Sequence, residues 1–129
     1  MIESGSPGRH SDGDPPGHGA GDWLAQRLTG LALVPLGIGF VASALLLRAF
    51  DQPSLAAWMR APWNALALIA LVLICAAHSY LGLRVIVEDY VHVLSWRLAG
   101  VALLQSVHWA LAAVAVFAIL HVALGGGAA

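Results

Sequence analysis

Three stretches without a formal charge dominate the chain, at residues 28–47, 61–83 and 98–129. Each is at least as long as the roughly 20 residues that a helix needs to cross the hydrocarbon core of a bilayer. Because that core offers no water to backbone N–H and C=O groups, runs of this length favour helices, which pair those groups internally. Tryptophans, which prefer the membrane interface, lie at or near the ends of the runs: Trp23, Trp58, Trp63 and Trp96. The pattern predicts an all-α membrane protein with three transmembrane helices.

The composition is consistent with lipid as the main solvent. Of the 129 residues, 60% are hydrophobic and 10% are charged, whereas a soluble domain has about 45–50% and about 25%. The six basic residues are all arginines and the net charge is -1, so the chain has no polybasic surface for nucleic acid. The single cysteine, Cys75, excludes an intrachain disulfide.

The residues before the first apolar run differ in composition. Residues 1–22 are rich in glycine and proline and poor in apolar side chains, which predicts a disordered tail. The tail has neither the apolar segment of a secretory signal nor the arginines of an organelle presequence, which indicates a bacterial protein. Residues 23–124 form the predicted transmembrane domain, followed by a short C-terminal tail at 125–129. The predicted spans are about residues 28–47, 61–83 and 98–124.

Three crossings place the two termini on opposite sides of the membrane, and arginine is enriched on the cytoplasmic side. Four arginines fall on the side of the N-terminus, and two fall on the other. The first group is Arg9, Arg27, Arg84 and Arg97, and the second is Arg48 and Arg60. We therefore expect a multi-pass protein of the bacterial inner membrane with a cytoplasmic N-terminus.

The connection between the first two spans carries signals for a helix start. Asp51 and Ser54 can cap a helix N-terminus, and Pro53 suits a first helical turn. Residues 54–60 therefore predict a short interfacial helix that Trp58 anchors.

The first span contains small residues at a spacing used in helix packing. Gly39 and Ser43 are four residues apart, which lets helix backbones approach closely, either within the chain or against a partner. Three helices also make a thin bundle with few places for a polar side chain. We expect the chain to be part of a larger bundle that a companion subunit completes.

Ionisable side chains inside a membrane span are costly and usually face a ligand, a cavity or another protein group. Histidine occupies three such positions: His78, His108 and His121. With a helical rise of 1.5 Å per residue, His78 lies about 9 Å from the boundary residue Arg84. His108 lies roughly 16 Å from Arg97 by the same rise.

Neutral imidazoles are good axial ligands of haem iron, and two of them leave no open position, which suits electron transfer. The two nitrogens on one iron are only about 4 Å apart. The depth mismatch of about 7 Å between His78 and His108 therefore favours a second ligand from another subunit. Gly82, one turn after His78, would leave room for a flat macrocycle. Spacing alone leaves His78 open as a metal ligand or as a buried, hydrogen-bonded histidine, and it favours a structural role for His108 and His121.

The end of the second span carries polar groups at the lipid edge. Arg84 and Glu88 are four residues apart and are predicted to pair on the helix surface. Asp89 and Tyr90 present a carboxylate and a phenol where an apolar ligand can enter from the bilayer while protons arrive from water. This combination suits a quinone, which needs a hydrogen-bond donor and protons. The alternative, which spacing alone favours, is that Tyr90 is an interfacial belt residue.

Two motifs, together with the three spans, resemble a known family. The first is W-x3-R, formed by Trp23 and Arg27; the second is H-x3-G-x6-D-Y, formed by His78, Gly82, Asp89 and Tyr90. The chain resembles, over roughly residues 23–124, the smaller hydrophobic anchor subunit of succinate dehydrogenase, respiratory complex II.

The resemblance implies a four-subunit complex with a flavoprotein that oxidises succinate, an iron-sulfur subunit, and two anchors that share one b-type haem and a ubiquinone site. It implies that His78 is one axial haem ligand and that the companion cytochrome b anchor supplies the other. Tyr90 is then expected to bind the quinone head with Asp89 beside it, and Arg27 to approach the haem propionates. The chain alone is expected to catalyse nothing.

Two other functions are alternatives. A small transport or proton-conducting subunit would use His78, His108 and residues 88–90 as a polar path. The isolation of these histidines among apolar residues, and the lack of an acid within a span, argue against it. The third alternative is a purely structural anchor that binds neither haem nor quinone.

Overall fold

The computed structural model describes residues 18–47 and 49–125, and this part of the chain is helical outside its turns. Helix α1 spans His18–Leu45, α2 spans Gln52–Arg60, α3 spans Pro62–Tyr90 and α4 spans Leu94–Ala123. Helices α1, α3 and α4 are long and apolar enough to cross a membrane. The predicted all-α fold with three membrane spans is confirmed.

Each long helix extends beyond its charge-free run at one end, which is the end that carries Arg27, Arg84 or Arg97. With 28 to 30 residues, these helices are about 42–45 Å long, whereas the hydrocarbon core is about 30 Å thick. Their ends therefore project into the headgroup region. Helix α1 begins at His18, so residues 18–22 are helical instead of belonging to the expected disordered tail. The ion pair between Asp22 and Arg84 of α3 holds this first part of α1, whereas the expected tail segments at 1–17 and 126–129 lie outside the described residues.

Helix α3 is the centre of the bundle. It packs against both α1 and α4, and α1 makes no contact with α4 in the ranges that the structure describes. Helices α1 and α3 are antiparallel, because Asp22 near the start of α1 meets Arg84 near the end of α3. Seven residues further along α1, Thr29 meets His78, six residues back along α3. The angular position of a residue on α3 thus decides which neighbouring helix it contacts.

The short helix α2 has the predicted N-terminal cap. The backbone N–H of Ser54 donates a hydrogen bond of 2.9 Å to Asp51 Oδ1, and Pro53 lies in the first turn. The hydroxyl and the backbone N–H of Ser54 hold the pKa of the Asp51 carboxyl below its ordinary value. The ring of Trp58 packs edge-on against Phe40 of α1, with 6.3 Å between ring centroids. The predicted helix and its cap are confirmed, and its position at the membrane interface stays a prediction.

The chain covers little of its apolar surface by itself. Within the described part, the buried hydrophobic residues are Ala65, Ala112 and Ile119. Large side chains point outward, among them Trp63, which is 81% exposed, and many others along the three spans. An added Cβ at Gly39 would meet no atom within 4 Å, so this small residue is not used for close packing inside the chain. Lipid or other subunits must cover these surfaces.

Candidate functional site

His78 lies on α3 at the interface with α1 and is half-buried. Its Nδ1 is 3.1 Å from the hydroxyl oxygen of Thr29 on α1. Gly30, the next residue of α1, lies against the edge of the ring, because a Cβ added there would be 3.1 Å from His78 Cε1. The imidazole is therefore held between two neighbouring residues of one turn of α1.

The hydrogen bonds of Thr29 define which ring nitrogen of His78 carries the proton. A hydroxyl has one proton to donate, and the Thr29 hydroxyl oxygen is 2.7 Å from the carbonyl oxygen of Ala25. Two oxygens this close are joined by a hydrogen bond, and the carbonyl oxygen has no proton to give. The Thr29 hydroxyl therefore donates to the carbonyl oxygen of Ala25 and accepts from Nδ1 of His78. The proton of the neutral ring is then on Nδ1, and Nε2 carries a free lone pair. Nε2 has no hydrogen-bond partner among the described residues.

His108 is in a different situation, because both of its ring nitrogens have partners. Its Nδ1 is 2.8 Å from the carbonyl oxygen of Leu104, which can only accept, so Nδ1 donates. Its Nε2 is 3.1 Å from the hydroxyl oxygen of Ser79 on α3 and accepts from it. The ring thus has no free lone pair and links α4 to α3. The structure agrees with the structural role expected for His108, and it separates His108 from His78, which contacts α1.

Gly82 is placed differently from expectation, whereas His121 lies near the end of its span, as expected. Gly82 does not face an open space, because a Cβ added there would lie 3.2 Å from Nε2 of Gln26 on α1. The missing side chain of Gly82 therefore admits a polar side chain from the neighbouring helix, not a macrocycle. The amide oxygen of Gln26 is enclosed and has no hydrogen-bond partner. His121, the third candidate histidine, is exposed near the end of α4.

A cluster of three charged residues lies beyond this point, towards the end of α3. Arg84 Nε is 2.8 Å from Glu88 Oε1 on the same helix, which confirms the predicted pair. Arg84 Nη1 is also 3.0 Å from Asp22 Oδ2 of α1, a contact between helices that spacing along one helix could not predict. The cluster fastens the first turns of α1 to the last turns of α3.

Arg27 lies on α1 but does not contact His78. Its guanidinium carbon is 5.1 Å from the centre of the Trp23 ring, one turn earlier, in a cation–π arrangement. Both side chains line a cavity of about 250 Å³ between α1 and α3 that Arg84 and Gln26 also line. The W-x3-R motif thus forms one local stack at the entrance to the α1/α3 interface.

Asp89 and Tyr90 end α3, and both are exposed. Tyr90 is 79% exposed, and its hydroxyl makes no hydrogen bond to any residue that the structure describes. Twelve residues of continuous helix separate Tyr90 from His78, a distance of about 18 Å along the axis. The chain therefore does not bring the two together, and a ligand bound at Tyr90 would need walls from another polypeptide or from lipid.

The chemistry of these residues fits one half of a haem site. His78 offers a neutral imidazole with its second nitrogen already hydrogen-bonded, which is the usual state of a histidine metal ligand. The structure describes residues 18–47 and 49–125. Among these residues, no three histidine, cysteine, aspartate or glutamate side chains come together in a group that could hold a metal ion. Within the same residues, the other deep histidine, His108, has both ring nitrogens hydrogen-bonded.

Fold and site together define a multi-pass helical membrane subunit that presents a single free imidazole nitrogen from its second span. The chain matches the family described as succinate dehydrogenase/fumarate reductase transmembrane subunit over residues 10–121, and it belongs to this family. As a transmembrane subunit of that enzyme family, it is a component of the enzyme and not an enzyme on its own. The resemblance noted from the sequence motifs is confirmed.

Curated relatives have a narrower name. The chain is 31% identical over 88 residues to the succinate dehydrogenase hydrophobic membrane anchor subunit of Rickettsia conorii, a match that covers 67% of this chain and 70% of the relative. It is 32% identical over 87 residues to the subunit of the same name from Rickettsia felis, covering 67% of this chain and 72% of the relative. The chain is thus similar to the anchor subunits in particular.

Proposed function

We propose that the chain is the smaller membrane anchor of a succinate:quinone oxidoreductase in a bacterial inner membrane. It docks a flavoprotein and an iron-sulfur subunit, and it shares a b-type haem and a ubiquinone site with a companion cytochrome b anchor. The observation that carries the proposal is the state of His78, whose ring is held through Nδ1 while Nε2 keeps a free lone pair.

Haem ligation follows from that state of His78. Nε2 is the one nitrogen of the two deep histidines that is available to a metal, because both nitrogens of His108 are hydrogen-bonded. A haem held by His78 and by an imidazole of the companion anchor would have no open coordination position. When bound, such a haem supplies a one-electron carrier within the bundle. The outward-facing apolar surfaces of the chain are consistent with a companion anchor packed against them.

The proposed quinone site lies at the end of α3. The Tyr90 hydroxyl is free to donate a hydrogen bond to a quinone carbonyl oxygen, and its ring can line the apolar path from the bilayer. Asp89 lies next to it and is exposed to water. Tyr90 thus orients the quinone, and Asp89 lies beside it at the same site.

Arg27 is proposed to contact a haem propionate. Its side chain is exposed and packs on Trp23, and it forms no ion pair with a described residue. A guanidinium that is held by an aromatic ring and lacks an acidic partner is suited to bind a carboxylate. The stack would then position Arg27 at the edge of the bundle on the side of the ion-pair cluster.

The proposed orientation places the N-terminus and the quinone end in the cytoplasm. Three of the described arginines, Arg27, Arg84 and Arg97, lie at the end of the bundle that carries Tyr90, whereas Arg60 lies at the other end. Arginine enrichment marks the cytoplasmic side. This is the side on which the soluble subunits would dock, within reach of the quinone site. Arg9 and Arg48, which entered the same count, lie outside the described residues.

The test is the absorption spectrum of the purified complex before and after reduction. We expect the bands of a reduced b-type haem in the wild-type complex and their loss in His78→Ala, because the ring nitrogen that binds the iron is removed. His121→Ala, which removes an exposed histidine from α4, is the matched control and should keep the bands. Co-purification of the flavoprotein separates loss of haem from loss of assembly. Unchanged bands in His78→Ala would contradict the ligand assignment, and a haem-free wild-type complex would leave only the anchoring role.

A further inference from the structure

We infer that Thr29 is a positioning residue for the haem ligand: its hydroxyl accepts a hydrogen bond from Nδ1–H of His78, holds the ring in one orientation and leaves Nε2 without a proton. This inference rests on the proposed role of His78. It assigns a function to α1, which carries no metal-binding side chain at this level of the bundle.

The orientation of the Thr29 hydroxyl is set by its own helix. Its oxygen is 2.7 Å from the carbonyl oxygen of Ala25 and 3.1 Å from that of Gln26. The single hydroxyl proton therefore points back along α1, towards these two carbonyl groups. The lone pairs are left facing α3, where His78 Nδ1 lies 3.1 Å away. A hydroxyl arranged in this way can only accept from the imidazole, which fixes one tautomer of the ring.

Gly30 restricts the position of the same ring. A Cβ at Gly30 would lie 3.1 Å from His78 Cε1, closer than an ordinary van der Waals contact, and 3.6 Å from Nδ1, which is an ordinary contact distance. The atom that would have to move belongs to a rigid ring that is hydrogen-bonded to the adjacent residue. At Gly82, by contrast, a Cβ would meet the end of the flexible Gln26 side chain. The Thr29–Gly30 pair therefore acts as a seat for the imidazole, shaped by one hydroxyl and one missing side chain.

The seat should affect the electronic properties of a bound metal. A hydrogen bond from the second ring nitrogen fixes the orientation of a histidine ligand and raises its basicity, and loss of such a partner typically weakens metal binding by about 10–100-fold. A more basic imidazole favours the oxidised iron. Removing the acceptor should therefore shift the midpoint potential of the haem to more positive values, an effect that a merely structural residue would not have.

The experiment compares Thr29→Val with Thr29→Ser in the assembled complex. Valine keeps the shape of threonine but cannot accept the proton, whereas serine keeps the hydroxyl. The measurements are the haem-to-protein ratio, the rate of haem loss in detergent and the midpoint potential by redox titration. We expect Thr29→Val to lose haem about tenfold faster or more, with a more positive potential, and Thr29→Ser to match the wild type. Ser106→Ala removes an exposed hydroxyl bonded to its own helix on α4 and serves as the control.

A second comparison measures the rate of haem loss in Gly30→Ala and in Gly82→Ala. We expect faster haem loss than in the wild type in Gly30→Ala only. Wild-type values of potential and haem loss in Thr29→Val would overturn the inference, and so would a Thr29→Ser variant that behaves like Thr29→Val. Failure of the proposed function has a different signature: the wild-type complex lacks haem, or His78→Ala retains it. If Thr29→Val did not assemble, the potential and haem loss of the Gly30→Ala and Gly82→Ala pair would decide the question.

Discussion

Deletion of the Tyr90 hydroxyl isolates the quinone contact from the stability of the chain. Tyr90 is 79% exposed at the last position of α3, and its hydroxyl donates to no described residue. Tyr90→Phe therefore removes no hydrogen bond within the described bundle, and the stability of the subunit should change by less than about 0.5 kcal/mol. The whole effect should appear in the reaction with quinone.

The magnitude follows from the value of one neutral hydrogen bond. Such a bond contributes about 0.5–1.5 kcal/mol, and 1.36 kcal/mol corresponds to a tenfold change in rate. The Tyr90→Phe variant should therefore reduce ubiquinone about 2- to 13-fold more slowly at limiting quinone concentration. Oxidation of succinate with an artificial dye that bypasses the membrane subunits should be unchanged.

The assay measures kcat/KM for a short-chain ubiquinone and the dye-linked rate on the same preparation. Tyr80→Phe is the matched control, because it deletes the same hydroxyl from α3 about 15 Å away from Tyr90 along the axis. Equal quinone kinetics in Tyr90→Phe and the wild type would refute the assignment and favour an interfacial belt residue. A parallel loss of both activities would indicate a defect in assembly.

Two further predictions concern the polar contacts outside the haem and quinone residues. Asp51 caps α2 as a carboxylate whose pKa is lowered in the folded protein. The cap therefore stabilises the helix fully above the ordinary aspartate pKa. This stabilisation is lost as the pH falls through the lowered pKa of the folded state. The protection factor of the Ser54 amide against hydrogen exchange should fall in that range, and Asp51→Ala should abolish the dependence. For the pair between Asp22 and Arg84, with side chains 41% and 29% exposed, a double-mutant cycle of Asp22→Asn and Arg84→Gln on thermal unfolding of the complex should give a coupling of about 0.5 kcal/mol. The coupling should decrease at high salt, and a value of zero at low salt would show that the pair does not fasten α1 to α3.

Features that depend on neighbouring residues along the chain were accessible from the sequence. The charge-free runs predicted the three spans, and the spacing of Asp51 and Ser54 predicted the cap of α2. The pair of Arg84 and Glu88 was also predictable, because residues four apart share a face of one helix. Each of these rests on the geometry of a single helix.

Contacts between helices were not accessible in the same way. The approach of Thr29 to His78 depends on the register between α1 and α3, which no local pattern specifies. For the same reason Gly82 was expected to face an open space, whereas it faces Gln26. Gly30 lies on the first span, where no local pattern distinguishes it from the other glycines of that span. A polar residue next to glycine, at a depth matching that of His78, is the signal that could have identified the pair.

The start of α1 shows where composition misleads. Residues 18–22 were assigned to the tail because residues 1–22 are rich in glycine and proline and poor in apolar side chains, yet α1 begins at His18. This part of α1 also carries Asp22, whose contact with Arg84 of α3 is an interaction between helices that local composition does not report. Propensity is a weak guide wherever tertiary contacts of this kind are available.

We propose that His78 holds one side of a haem whose other side belongs to a companion anchor. The most direct measurement is an experimental structure of the whole assembled complex. We predict a porphyrin between the two anchors, with Nε2 of His78 about 2 Å from the iron and Nδ1 facing the Thr29 hydroxyl. An imidazole that contacts only protein or lipid, with no porphyrin beside it, would contradict the account.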